Sequence, residues 1–171
     1  MSTLYLTGYE KETIDQFVEK LEKAGITTVI DIREIPLSRK NSFSKTNLTR
    51  ILSDKGIHYF HLPELGSPST IRYKLKHDKI DYLEFFNLYR KYIVSKNRTL
   101  SEVIDILKSN GTSCLLCFER NSDLCHRSIV ASELLKMNQN LRVITRCLRT
   151  QTNAVAGLVV LLKPIEMRLQ V

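Results

Sequence analysis

Thr27-Thr28-Val29-Ile30-Asp31-Ile32-Arg33 is the stretch on which the fold turns. Up to Ile32 it is rich in β-branched residues and almost unbroken in apolar character, the pattern of a strand buried on both faces inside a parallel sheet. Such a strand needs helices above and below it, and the flanking sequence supplies them. Upstream, residues 3–7 alternate and stop at Gly8, which predicts a first strand. Ile14, Phe17, Val18 and Leu21 then recur at helical spacing as far as Gly25, a helix stop. Downstream, residues 45–54 predict a short helix ending at Gly56, and residues 58–62 a third strand. Between residues 78 and 108 the apolar positions Leu83, Phe86, Tyr89, Tyr92 and Ile93, then Leu100, Val103, Ile104 and Leu107, predict two helices that break near Asn97. Residues 113–118 read as a short buried strand, 125–137 as a helix and 143–145 as a last strand. Strands alternating with helices imply an α/β fold: one domain, with a mostly parallel sheet of about five strands joined by right-handed crossovers.

The 171 residues, 43% hydrophobic and 26% charged, suit a single domain and argue against disorder. We divide the chain into an α/β domain over residues 1–145 and an atypical tail over 146–171. Within the tail, the apolar run 157–162 is expected to form an edge strand or to pair with a second subunit as a homodimer. No run approaches the ~20 apolar residues that span a bilayer. The start of the chain lacks the basic and long apolar regions of a leader peptide, so no membrane partner is expected and the expected location is the cytoplasm. There thiols stay reduced, and Cys114, Cys117, Cys125 and Cys147 do not read as a disulfide framework. A formal charge of +8 favours an anionic partner, a nucleotide or a nucleic acid.

Chemistry concentrates where strands end. Leu115-Leu116-Cys117-Phe118-Glu119 is followed by Cys125-His126-Arg127 at a predicted helix start, where free N–H groups and the helix dipole favour anions. Arg127 there can clamp a phosphate or carboxylate, and a thiol there has a lowered pKa. The competing reading is that Cys125 and His126 only pack and cap the helix. Other strand ends offer Thr7, Gly8 and Tyr9; Asp31 and Arg33, with Ser38 and Arg39 in the following loop; and His61, then Glu64. If the strands are parallel, these converge on one rim with Asp31, Glu64, Glu119, Cys125 and His126 as candidate catalytic groups. Thr7, Gly8, Tyr9, Arg33, Ser38, Arg39, His61 and Arg127 are the candidate binding groups. Equally, Asp31–Arg33 and Glu119–Arg127 read as ion pairs that brace loops.

Cys114 and Cys117 fall three apart on a strand and therefore face opposite sides, so they cannot share one tetrahedral zinc. On that ground neither a metal nor another cofactor is expected. A phosphatase-type thiol mechanism is disfavoured as well, because Ala131 stands where a phosphate loop starting at Cys125 would need its arginine.

Four blocks carry a family resemblance: Leu6-Thr7-Gly8-Tyr9; Asp31-Ile32-Arg33-Glu34-Ile35-Pro36-Leu37-Ser38-Arg39 with Phe43; His61-Leu62-Pro63-Glu64-Leu65-Gly66; and Leu115 to Glu119 with Cys125-His126-Arg127. In this order they resemble the domain-of-unknown-function family 488, over roughly residues 4–135. The resemblance implies an α/β fold found in bacterial and archaeal proteins, with these motif positions forming a shared pocket, and it implies no particular reaction. The expected function is that of a hydrolase-like enzyme on a nucleotide or nucleic-acid phosphate. The alternative is a non-catalytic nucleotide- or nucleic-acid-binding module.

Overall fold

The computed structural model of this chain describes residues 2–145. The assignments made for the tail 146–171 lie outside the described residues. Strands β1 (Ser2–Gly8), β2 (Thr28–Asp31), β3 (His58–His61), β4 (Ser113–Cys117) and β5 (Leu141–Ile144) form one five-stranded sheet in the order β3-β2-β4-β1-β5. Every pairing is parallel. Helices α1 (Ile14–Lys23), α2 (Lys45–Ser53), α3 (Ser69–Lys76), α4 (Tyr82–Ile93), α5 (Asn97–Ser109) and α6 (Arg127–Met137) make the crossovers. The single α/β domain expected from the sequence is therefore the one observed.

Period-two alternation along the strands sorts the core into two layers. Leu4, Leu6, Ile30, Ile32 and Leu115 face α4, α5 and α6, while Val29, Cys114 and Leu116 face α1 and α2. Val29, Ile30, Leu115 and Leu116 are wholly buried, which explains the unbroken apolar run in β2. Local chemistry sets the helix ends. Thr13 and Gln16 form a reciprocal capping box at the start of α1, and Gly25 follows its end at φ 63°. Asp81 caps α4 by accepting from the Glu84 amide at 2.8 Å.

Three details differ from the sequence reading. α3 was not expected: Ser69–Lys76 buries none of its residues, and Ile71, Tyr73 and Leu75 alternate like a strand, so no helical stripe marks it. α6 begins at Arg127 instead of Cys125, because the Cys125 carbonyl accepts from Ser128 in a tight turn (3.2 Å) and the first i→i+4 bond runs from the Val130 amide to the His126 carbonyl (3.1 Å). Pro63–Leu65 and Asn41–Phe43 add short 3-10 turns to the loops after β3 and β2.

The strand order places the functional crevice. From β2 the chain leaves toward β3 through α2 on one face, and from β4 it leaves toward β5 through α6 on the other face. The connections diverge between these two neighbours, and in open α/β sheets ligands settle outside the carboxyl ends of the strands at such a point.

Candidate functional site

Cys117 is the last residue of β4, two positions on from Leu115, and so it faces the α4–α6 layer. The loop beyond it returns Glu119, Cys125 and His126 to the same spot. The Cys117 thiol lies 2.9 Å from Oε2 of Glu119, and the Cys125 thiol lies 3.1 Å from the same oxygen. Nδ1 of His126 is 4.0 Å from the Cys117 sulfur and 3.8 Å from the Cys125 sulfur. Cys117, Cys125 and His126 are buried, whereas Glu119 is only half-buried and forms the solvent side of the cluster.

The imidazole is held from behind. Its Nε2 stands 3.3 Å from the Ile32 carbonyl just beyond β2, and its ring meets Tyr89 edge-on at 5.2 Å between centroids. Tyr89 is itself fixed by donating to the Leu65 carbonyl at 2.6 Å. The proton that satisfies Ile32 belongs on Nε2, which turns Nδ1 toward both sulfurs.

Arg127 lies beneath the cluster with no exposure at all. Its Nη2 donates to the Glu119 backbone carbonyl at 2.7 Å, and its Nε and Nη1 have no partner among the described residues. It therefore does not form the ion pair with the Glu119 carboxylate considered from the sequence; it carries a buried positive charge that no carboxylate of the described residues bonds. Gly8 makes room for it. A Cβ at Gly8 would lie 1.9 Å from the Glu119 carbonyl oxygen and 3.0 Å from Nη1 of Arg127. Only a residue without a side chain lets β1 close on this loop.

The environment splits the proton affinities. The bond from Cys125 draws the Cys117 thiol well below its ordinary value, against the effect of burial and with help from His126 and Arg127. Burial and the neighbouring Cys117 charge push Cys125 up. Burial, then Cys117, raises Glu119. For His126 burial acts downward, but the charge and hydrogen bond of Cys117 outweigh it and raise the imidazole. Of the two thiols, Cys117 is the one that gives up its proton first. Cys114, on the other face of β4, is simply a buried thiol pushed up to about 12 by desolvation.

A second network occupies the ends of β2 and β3. Arg33 donates through Nε to both oxygens of Asp31 (2.9 and 3.0 Å), and through Nη1 to the Tyr9 hydroxyl and the Phe43 carbonyl (2.9 Å each). Tyr59 donates to Oδ2 of Asp31 at 2.6 Å, so the carboxylate is wholly engaged. The Asp31 bonds raise Arg33 despite burial, and burial together with the Asp31 charge raises Tyr59. His61 sits 2.9 Å from the Arg33 carbonyl with Lys45 at 3.3 Å from its other nitrogen. Tyr9 stacks on Phe43 at 4.2 Å and meets Phe118 edge-on at 5.4 Å. Asp31 and Arg33 thus form the ion pair that the sequence offered as one reading of the two residues.

The remaining candidates stand apart from the cluster. The Glu64 carboxylate turns to the Thr99 hydroxyl on α5, 2.5 Å away. Ser38 accepts from the Lys40 amide at 3.2 Å, and Arg39 is exposed. Thr7 pairs in register with Leu116, so its buried, unpartnered hydroxyl shares the α1–α2 face. A wide concavity along α5, lined by Phe60, Arg98, Ser101, Glu102, Asp105 and Ile106, holds neither thiol nor imidazole.

Cys117 is the residue that sequence reasoning missed. The alternation that separated it from Cys114 was right, and it also aimed Cys117 at the layer that α6 enters. That was the available pointer to Cys125 and His126 as its partners.

Taken together, the sheet and the cluster define a parallel α/β protein with a thiol–imidazole–carboxyl site at its topological crevice. The family described as Domain of unknown function DUF488 matches residues 13–134, and the chain belongs to it. The match contains three of the four motif blocks and begins after Leu6-Thr7-Gly8-Tyr9. No curated protein and no solved structure matches the chain. Among the described residues no helix is long and apolar enough to cross a membrane.

Proposed function

We propose that the chain is an enzyme of hydrolytic type acting on a phosphate-bearing substrate, a nucleotide or a nucleic acid. The observation that carries this reading is Arg127, a fully buried guanidinium bonded to the Glu119 carbonyl beside the cluster, with two nitrogens free of acceptors among the described residues. A buried cation without a bonded counter-charge is costly and makes the crevice above it electropositive. The start of α6 adds its dipole at the same place, and the net charge of +8 acts in the same direction.

In this reading Glu119 is the acid–base group. It is the carboxyl in contact with the cluster and open to solvent, whereas Asp31 is locked by Arg33 and Tyr59 and Glu64 is turned to Thr99. Cys125 and His126, with Cys117, supply the nucleophile or proton carrier beside it.

The test offers the full chain a panel of nucleotides and single- and double-stranded oligonucleotides and records binding and product together. Wild type is compared with Glu119→Gln and Arg127→Lys. Product that disappears in Glu119→Gln while binding persists supports the enzyme. Salt-sensitive binding without product in any sample puts the non-catalytic binding module in its place. Neither binding nor product removes both.

A further inference from the structure

We infer that Cys117, Cys125 and His126 form a zinc site whose fourth position is open among the described residues. The three donor atoms lie within 4.8 Å of one another, and all three residues are buried. For tetrahedral zinc, with bonds of about 2.3 Å to sulfur and 2.0–2.1 Å to nitrogen, the sulfur–nitrogen edge is about 3.6 Å. The observed edges are 3.8 and 4.0 Å, so an ion draws the imidazole inward by only a few tenths of an ångström from its present place.

The ring is already oriented for this role. Ligating histidines normally donate their other nitrogen to a carbonyl or carboxylate, which fixes tautomer and direction. His126 has that partner in the Ile32 carbonyl at 3.3 Å, and its Nδ1 points at both sulfurs. Paired thiolates with imidazole favour zinc over magnesium, calcium or manganese, which prefer oxygen donors.

Charge points the same way. Bringing two thiols into one buried pocket gains little unless both can ionise, and Zn²⁺ exactly offsets two thiolates. The pocket then keeps the positive charge of Arg127 below it. Glu119 stands outside the three-donor group while its Oε2 contacts both sulfurs. Among the described residues this gives three protein ligands with a nearby carboxylate that does not ligate, the arrangement of a catalytic zinc, whereas a structural zinc closes all four positions. Cys114 takes no part, since it packs on the opposite face with Val29 and Leu116. The expectation of no metal came from testing Cys114 with Cys117, a pair the strand does separate.

This inference rests on the site of the substrate reading and refines it: as ligands, Cys117, Cys125 and His126 hold the ion instead of acting as nucleophile or proton carrier, and Glu119 keeps the acid–base role. Its test uses the full chain, purified with reductant and without chelator. Zinc is measured directly, then removed and replaced by cobalt. The expected results are stoichiometric zinc, and a cobalt complex with the thiolate-to-cobalt band in the near ultraviolet and the strong visible bands of a tetrahedral ion. Added zinc is also expected to slow alkylation of Cys117 and Cys125 but not change Cys114, mapped by mass spectrometry on the wild-type chain.

Cys125→Ser and His126→Gln are expected to weaken zinc binding by more than the roughly 10–100-fold that loss of an outer-shell partner causes. Cys114→Ser retains it. A folded, reduced chain that takes up no zinc, a cobalt spectrum without the thiolate band, or alkylation of Cys117 and Cys125 unaffected by zinc overturns the site. Metal bound without product from any phosphate substrate removes the substrate reading alone. Product from a metal-free chain overturns the catalytic assignment of the zinc and leaves the substrate reading standing.

Discussion

The α-carbon of Gly8 sits so close to the backbone of Glu119 that a methyl group on it would lie 1.9 Å from the Glu119 carbonyl oxygen. The obstacle is main chain, so it cannot rotate away. Gly8→Ala is therefore expected to cost about 1–3 kcal/mol, the usual range for an overpacked core, with this backbone clash near its upper end. Urea unfolding of the two proteins checks it. An unchanged midpoint shows that the β4–α6 loop moves freely, and the rigidity assigned to the site fails with it.

Asp31 and Arg33 form a buried pair whose partners are all accounted for. Replacing Asp31 with Leu leaves a guanidinium without its counter-charge and is expected to destabilise by about 3–5 kcal/mol. Adding Arg33→Met to the same chain is expected to restore much of that loss. Denaturant melts of both single variants and the double variant give the coupling; additive losses would show that the brace is not one unit.

Tyr59 holds its proton to higher pH in the folded chain than the ordinary 10.0, through burial and the Asp31 charge. Above pH 10 the unfolded chain releases this proton while the folded chain keeps it. The folded state then binds more protons, and stability falls as pH rises through that window. Tyr59→Phe removes this contribution, so its unfolding midpoint is expected to decline less steeply above pH 10 than that of wild type. Parallel slopes count against the Tyr59–Asp31 bond.

Cys114 is fully buried, with its thiol pushed up to about 12. At pH 8 almost none of it is thiolate, and the thiolate is the reactive form. It is expected to resist iodoacetamide in the native chain and to react once denaturant is added, with peptide mapping as the readout. Native-state labelling at Cys114 would mean that the α1–α2 layer opens readily.

Glu64 is exposed, and its carboxylate accepts one hydrogen bond from Thr99. A glutamine there still offers an acceptor, so Glu64→Gln is expected to change stability by no more than about 0.5 kcal/mol. It should also leave any product formation intact, in contrast to Glu119→Gln. Loss of product in Glu64→Gln alone would move the acid–base role from Glu119 to Glu64.

How far the sequence carried depends on the range of each interaction. β2 was legible because Thr28 to Asp31 is buried on both faces, and that alone dictates residue type. α1 was legible because Phe17, Val18 and Leu21 line one buried stripe. α3 was not, since nothing in it is buried and composition had no face to mark. At the candidate site, the strand ends named residues but not their neighbours. Asp31 and Arg33 stood at a strand end in the sequence, and nothing local announced Tyr9, Tyr59 and the Phe43 carbonyl as their partners. Cys117 needed the path of a loop whose turns are set by tertiary contacts, and no local pattern encodes that path.

The sheet order also governs how the protein can be made. β1 and β2 emerge first during synthesis, yet they do not pair with each other; β4 lies between them and bonds to both. Until Ser113–Cys117 has been translated, each of these strands presents an open inner edge, the kind of surface that recruits other chains. A nascent chain halted before β4 is thus two separate fragments of a sheet, and the segment that joins them ends in Cys117. The strand that unites the two fragments is also the one that delivers the first residue of the cluster.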